Sequence, residues 1–177
     1  AAMLITPSKY TGLGPNRIRL GLCCINNYLK EKKPSIFCGR SMVLATYKSK
    51  GSKEAIDRGL KNVQDIIKLL EWNKSHHIEC LRLSSDLFPH YTNLKHIDEE
   101  DRYDLDFAKK DLKKTGDYAI QNGMRITMHP GQFNVVATTN DKVFESTIAD
   151  LKMHADILDM MGMGDDSVIV IHGGGTY

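Results

Sequence analysis

The sequence predicts an α/β fold with a parallel sheet, four strands and three helices in strict alternation, which is roughly the first half of a (β/α)8 barrel. Three observations predict it. Short apolar runs alternate with amphipathic stretches of helical period. Capping or glycine signals bound the last two helical stretches. The chain has 177 residues, 41% hydrophobic and 26% charged, long enough for one domain (1–177) with a real core. Strands that alternate with helices imply parallel pairing with crossover connections.

Arg17–Cys24 (RIRLGLCC) reads as the first strand. Residues 25–52 follow as a long connection rich in Lys, Ser and Gly, and connections of that length without regular structure are often functional. A helix is expected near 53–74, where Ile56, Leu60, Val63, Ile67 and Leu70 step by 4, 3, 4 and 3 along one face. Glu79–Ser84 (ECLRLS) is the second strand, ending at Ser84-Ser85-Asp86. After Pro89 a second helix is expected near 104–121, with Leu105, Ala108, Leu112 and Ala119 on one side and Asn122-Gly123 as its C-terminal cap.

Met124–Met128 (MRITM) is the third strand and ends at His129-Pro130-Gly131. Asn140 or Asp141 can cap a third helix running to about Met161, with Phe144, Ile148, Leu151, Ala155 and Leu158 on its apolar face and Gly162 and Gly164 to stop it. Ser167–Ile171 (SVIVI) is the fourth strand, followed by His172 and three glycines. No helix is expected after that strand, whereas a complete barrel takes about 250 residues. The expectation is therefore the amino-terminal part of a longer protein, with two open sheet edges prone to aggregation.

Composition excludes several classes. No apolar run reaches the roughly 18 residues of a membrane span, and no signal-peptide pattern opens the chain. Cys23, Cys24, Cys38 and Cys80 show neither zinc-type C-x-x-C spacing nor a secreted disulfide framework, so reduced thiols in an intracellular protein (cytoplasm or nucleus) are expected. There is no G-x-G-x-x-G, no P-loop and no G-x-S-x-G, which argues against a nucleotide cofactor and against acyl transfer. Net charge is only +2. Its distribution is uneven: before residue 54 the chain carries ten Lys or Arg against Glu31 alone, and the remainder is acidic. A basic lobe suits a phosphate-rich ligand, although a solvated lysine-rich loop carries the same charge.

Function in α/β sheets and barrels collects at the carboxyl ends of strands. Those ends offer Asn26 and Asn27, then Ser84, Ser85 and Asp86, then His129, Gln132 and Phe133, then His172. Two histidines at equivalent places on successive strands put two imidazoles on one rim, as metal ligands or general bases. His-Pro-Gly holds His129 extended and then lets the chain turn. His90 and His96 follow the second strand on the same rim and are candidates to join them. His76 and His77 fall on the opposite rim, and His154 is mid-helix.

RIRLGLCCINN, CLRLSSDLFP, RITMHPGQF and VIVIHGGGTY, in this order and spacing, resemble the UV damage endonuclease family over nearly the whole chain. The resemblance implies a (β/α)8 barrel related to apurinic endonuclease and xylose isomerase-like barrels. It implies nicking of UV-damaged double-stranded DNA 5′ of cyclobutane pyrimidine dimers and 6-4 photoproducts by two or three divalent metal ions, typically Mn2+, in a protein that is monomeric at full length. By motif position His129 and His172 resemble metal ligands and catalytic residues. Gln132 and Phe133 resemble the pair pushed into the duplex at the lesion, and Asn26 a polar residue near the damaged nucleotides. Lys30, Lys32, Lys33, Arg40, Lys48 and Lys50 would then sit on phosphates.

Two positions depart from the family pattern. Leu22 replaces a frequent aromatic, and Asn93 replaces a frequent histidine ligand, so that either His90 or His96 substitutes or that metal site is weakened. With further ligands expected beyond Tyr177, the 177-residue piece alone is expected to cut little. The alternatives are a sugar isomerase or epimerase, an apurinic endonuclease, or an inactive DNA-binding fragment.

Overall fold

Leu81 and Leu83 are fully buried while Cys80 and Arg82 beside them are half-buried. That is the period-two signature of a strand with one face on a core. They lie in β2 (Ile78–Leu83), the second of four strands. The computed structural model describes residues 18–165 and 167–173, so Arg17, Gly174 and Gly175 of the expected motifs lie outside the described residues. β1 (Leu20–Cys23), β3 (Arg125–Met128) and β4 (Val168–Ile169) complete a parallel sheet in the order β1-β2-β3-β4. Leu22 pairs with Leu81, Leu81 with Ile126, and Met128 with Ile169, so apolar residues stay in register on one face.

On that face lie α2 (Leu44–Ser75), α3 (Lys109–Gln121) and α4 (Asp141–Met161). Their side chains close a core of Val63, Ile66, Leu69, Leu112, Ile157 and Met161 over Leu81, Leu83, Ile126 and Met128. Each such aliphatic side chain gains about 1.5–3 kcal/mol from burial, which is what holds the helices to the sheet.

The connection over 25–52 differs from the expected irregular loop. It contains α1 (Asn27–Lys30) and the first turns of α2, which begins at Leu44 and is interrupted only at Gly51, φ 72°. A left-handed φ is one that glycine adopts without a Cβ penalty, so the chain breaks direction there and resumes the helix. The early segment forms because Tyr47 is buried in a small second cluster with Ala55 and Ile97, its hydroxyl donating to the Asp101 carbonyl at 2.8 Å. The rest of the connection is fastened by Asn62 of α2, which accepts from the Arg40 backbone N–H at 2.9 Å and donates to the Leu87 carbonyl at 2.9 Å.

The buried face of α3 is the expected one: Leu105 and Ala108 before it, and Leu112 and Ala119 within it, are all buried. The faces of the other two helices are rotated from expectation. In α2 the buried stripe is Ala55, Gly59, Asn62, Val63, Ile66, Leu69, Leu70 and Asn73, with Ile56, Leu60 and Ile67 only half-buried. Close approach explains the rotation, because a Cβ on Gly59 would stand 2.8 Å from the Phe88 ring. In α4 the buried residues are Thr147, Met153, His154, Ile157, Leu158 and Met161, leaving Phe144 and Ile148 exposed. α4 crosses α3 so tightly that Gly116 lies against the Met161 carbonyl, where a Cβ would overlap at 1.8 Å.

Among the described residues no strand pairs with the outer edge of β1 or β4. Ile18 and Leu20 at one edge, and Val168, Val170 and Ile171 at the other, are exposed. The sheet thus has two open edges, as expected of half a barrel.

Candidate functional site

The third strand delivers the centre of the site. β3 ends at Met128, whose carbonyl accepts from Val170 N–H at 2.9 Å, so the third and fourth strands leave the sheet side by side. His129 and His172 are the residues at which they leave, and their rings meet edge to face with centroids 4.7 Å apart. His129 is half-buried and His172 exposed. Beyond His129, Pro130 is buried, and Asn134 N–H donates to the Gly131 carbonyl at 3.0 Å. That bond closes a tight turn with Gln132 and Phe133 at its tip, both exposed, the phenyl ring 82% so. Val135 then makes a parallel bridge to His172, so the turn leaves the chain at His129 and returns beside His172.

The other candidates fall as follows. Asn26 follows β1 through a tight turn in which Cys24 takes φ 65°. Its Oδ1 accepts from Leu29 N–H at 3.0 Å and caps α1, while its Nδ2 is buried without a hydrogen-bond partner. His90 is already engaged: Nε2 bonds the Met42 carbonyl at 2.8 Å, Nδ1 accepts from the Asn93 amide at 3.1 Å, and the ring packs edge-on against Tyr47. Asn93, at the position where the sequence departs from its pattern, thus holds His90. His96 is exposed and lines a different cleft with Lys95, Asn140 and Lys142. Among the described residues, no group of three or more His, Cys, Asp or Glu is placed to share a metal ion, so neither joins His129 and His172 there.

Two neighbouring imidazoles are nitrogen donors of the kind a divalent transition metal takes, but they supply only part of a coordination shell. No thiol joins them in a group of three among the described residues. Burial pushes the Cys38 thiol up to about 11, and desolvation raises Cys80 as well, so both stay protonated at neutral pH.

The basic residues divide in two. Lys30, Lys32 and Lys33 are exposed, with the Lys32 ammonium 4.6 Å from the Tyr28 ring centroid. Lys48 and Lys50 are exposed too, Lys50 lying 3.9 Å from Glu54. Arg40 departs from the expected phosphate role. Its guanidinium bonds the carbonyls of Phe37 and Ser35 and forms a 2.6 Å ion pair with buried Asp65. A cation committed to four internal acceptors, Asn62 Oδ1 included, fastens the connection to α2 rather than waiting for a ligand.

Sequence reasoning did not find Asp150 or Asn134. Asn134 Nδ2 donates to Asp150 Oδ2 at 2.7 Å, and Thr92 Oγ1 donates to Asp150 Oδ1 at 3.1 Å. The position of Asn134, three residues after a glycine, is a turn signal that was available. Nothing in the pattern of α4 marks Asp150. These residues also line a cleft of about 250 Å³ with Asp86, Pro89, His90 and Gly131.

Comparison with known proteins decides the family. The model of the family described as UV-endonuclease UvdE matches residues 18–177. The chain belongs to the UV damage endonuclease family. A relative from Acanthamoeba polyphaga mimivirus is 40% identical over 167 residues, covering 93% of this chain and 49% of that protein. The UV-damage endonuclease of Schizosaccharomyces pombe is 38% identical, covering 92% of this chain and 27% of its own length. A crystal structure described as SacUVDE superposes with a TM-score of 0.75 at 28% identity, over 89% of this chain and 50% of the other. This agrees with four parallel strands and their helices as the first half of such a barrel. The chain therefore spans half or less of the relatives it matches.

Proposed function

We propose that the protein is a DNA repair endonuclease that hydrolyses the phosphodiester 5′ of UV photoproducts, with a cluster of divalent ions, manganese expected, held in part by His129 and His172. The single observation that carries this reading is the juxtaposition of the imidazole pair with the exposed Gln132-Phe133 tip on one strand-end rim. An exposed aromatic residue at the tip of a turn beside the ligands is shaped to enter a base stack, so that juxtaposition favours DNA.

His129 and His172 would serve the metals as neutral nitrogen donors. When bound, such ions supply a hydroxide at neutral pH and polarise the phosphoryl oxygens. Phe133 would enter the gap left by displaced bases, where unstacking costs a few kcal/mol and least at a damaged step. Gln132 would offer its amide donors and acceptors to the bases left unpaired. Lys30, Lys32 and Lys33 would neutralise phosphates and add affinity without sequence preference. Asn26 brings an unsatisfied buried amide donor to the rim, which a nucleotide oxygen would satisfy. Two imidazoles leave most of a coordination shell to be filled, and the chain spans half or less of its relatives, so the 177-residue chain alone is expected to cut little.

The test is nicking of UV-irradiated against unirradiated plasmid with Mn2+, using the protein at its full encoded length. Selective nicking that His129→Ala abolishes supports the reading. Cutting by His129→Ala at the wild-type rate would remove the metal assignment, and equal cutting of both plasmids would remove the repair function.

A further inference from the structure

We infer that Asp150 is the positioning residue for the lesion-probing turn, acting through Asn134. The turn is strapped at its exit by two different devices. On one side Val135 bridges His172 through the backbone. On the other, Asn134 reaches α4, its amide donating to Asp150 Oδ2 at 2.7 Å. The same carboxylate accepts from Thr92 Oγ1 at 3.1 Å on its other oxygen, and His154 Nδ1 stands 3.5 Å away. One side chain, 15% exposed, thus ties the connection after β2, the turn after β3 and the body of α4 together.

The physical need for such a tie is plain. Gln132 and Phe133 have no packing of their own, the phenyl ring being 82% exposed, so whatever order they have comes from the residues flanking them. A wedge on a loose stalk would lose its freedom only on entering the duplex, and that entropy would be subtracted from binding to damaged DNA. A charge-assisted bond to a helix removes much of that cost beforehand. Undamaged duplex, held through phosphates, gains nothing from it. The clamp therefore sets selectivity for damage rather than general affinity. The inference rests on the proposed role of Gln132 and Phe133.

The experiment measures affinity for a photodamaged and for an undamaged duplex of the same sequence, without metal and at fixed salt, in the protein at its full encoded length. Asn134→Ala removes the donor, and Asn134→Asp sets two carboxylates against each other. Each is expected to lower the ratio of damaged to undamaged affinity roughly tenfold, the order of one charge-assisted hydrogen bond, with undamaged affinity unchanged. The exchanged pair Asn134→Asp with Asp150→Asn restores donor and acceptor in reverse and should recover the wild-type ratio. Thermal melting of each variant shows that it is folded. A preserved ratio in Asn134→Ala and Asn134→Asp, or an exchanged pair that melts normally yet stays at the low ratio, overturns the clamp while leaving the proposed function intact. A wild-type protein that does not distinguish the duplexes overturns both.

Discussion

Phe133 stands apart from the other aromatic residues because nothing in the fold explains it. Large apolar side chains at a loop tip gain nothing from folding when they stay in water. Phe133→Ala should therefore leave the melting temperature unchanged, with stability within about 0.5 kcal/mol of wild type, while lowering selectivity for photodamaged DNA. Equal loss of stability and selectivity would return the ring to a packing role. His172 gives a complementary expectation. It is exposed and reached through a backbone bridge, so His172→Ala should abolish metal-dependent nicking and leave metal-free DNA affinity intact, as read by gel shift. Cys38 yields a prediction in pH. Burial raises its folded thiol from about 9 to about 11, so the neutral form is favoured in the native state. Its stabilising contribution is whole below pH 9 and is lost as pH climbs through 11. Thiol reagents at pH 8 should modify exposed Cys23 rapidly and Cys38 only on unfolding.

At the scale of elements, what was legible depended on whether large residues or small ones made the contact. The face of α3 follows its apolar residues, because Leu105 and Leu112 are themselves the buried contacts. The face of α2 does not, because Ala55 and Gly59 sit at the closest approach and buried Asn62 holds a loop. Periodicity of large apolar residues cannot report such contacts. The expected stripe on α4 is likewise displaced, with Phe144 and Ile148 in water and fully buried His154 in the core. The α3–α4 crossing provides the sharpest check. Gly116→Ala places a methyl group inside the Met161 carbonyl, so the helices must part. We expect a loss of about 3 kcal/mol or more, beyond ordinary overpacking, in a denaturant titration. Asn140 caps α4 by accepting from Lys142 and Val143 N–H. Asn140→Ala should cost about 1 kcal/mol.

At the scale of the whole molecule, the described residues leave both edges of the sheet open and carry exposed Val168, Val170 and Ile171 at one of them, with Phe144 and Ile148 exposed on α4. Unpaired strand edges flanked by apolar side chains template association. The isolated 177-residue chain should therefore sediment as concentration-dependent oligomers, and Phe144→Lys with Val170→Lys should shift it toward monomer; a monomeric wild-type chain would contradict this. The strand-helix alternation, a cap at Asn140 or Asp141 with a glycine stop after Met161, and the placing of His129 and His172 on one rim were all determined by the sequence alone, because they depend on local periodicity and on the polarity of a parallel sheet. Only the tertiary structure decided that Arg40 is spent on Asp65, that His90 is held by the Met42 carbonyl, and that Asp150 grips the turn after β3. Those pairings join residues far apart in the chain, and no local pattern records which distant acceptor a side chain will meet.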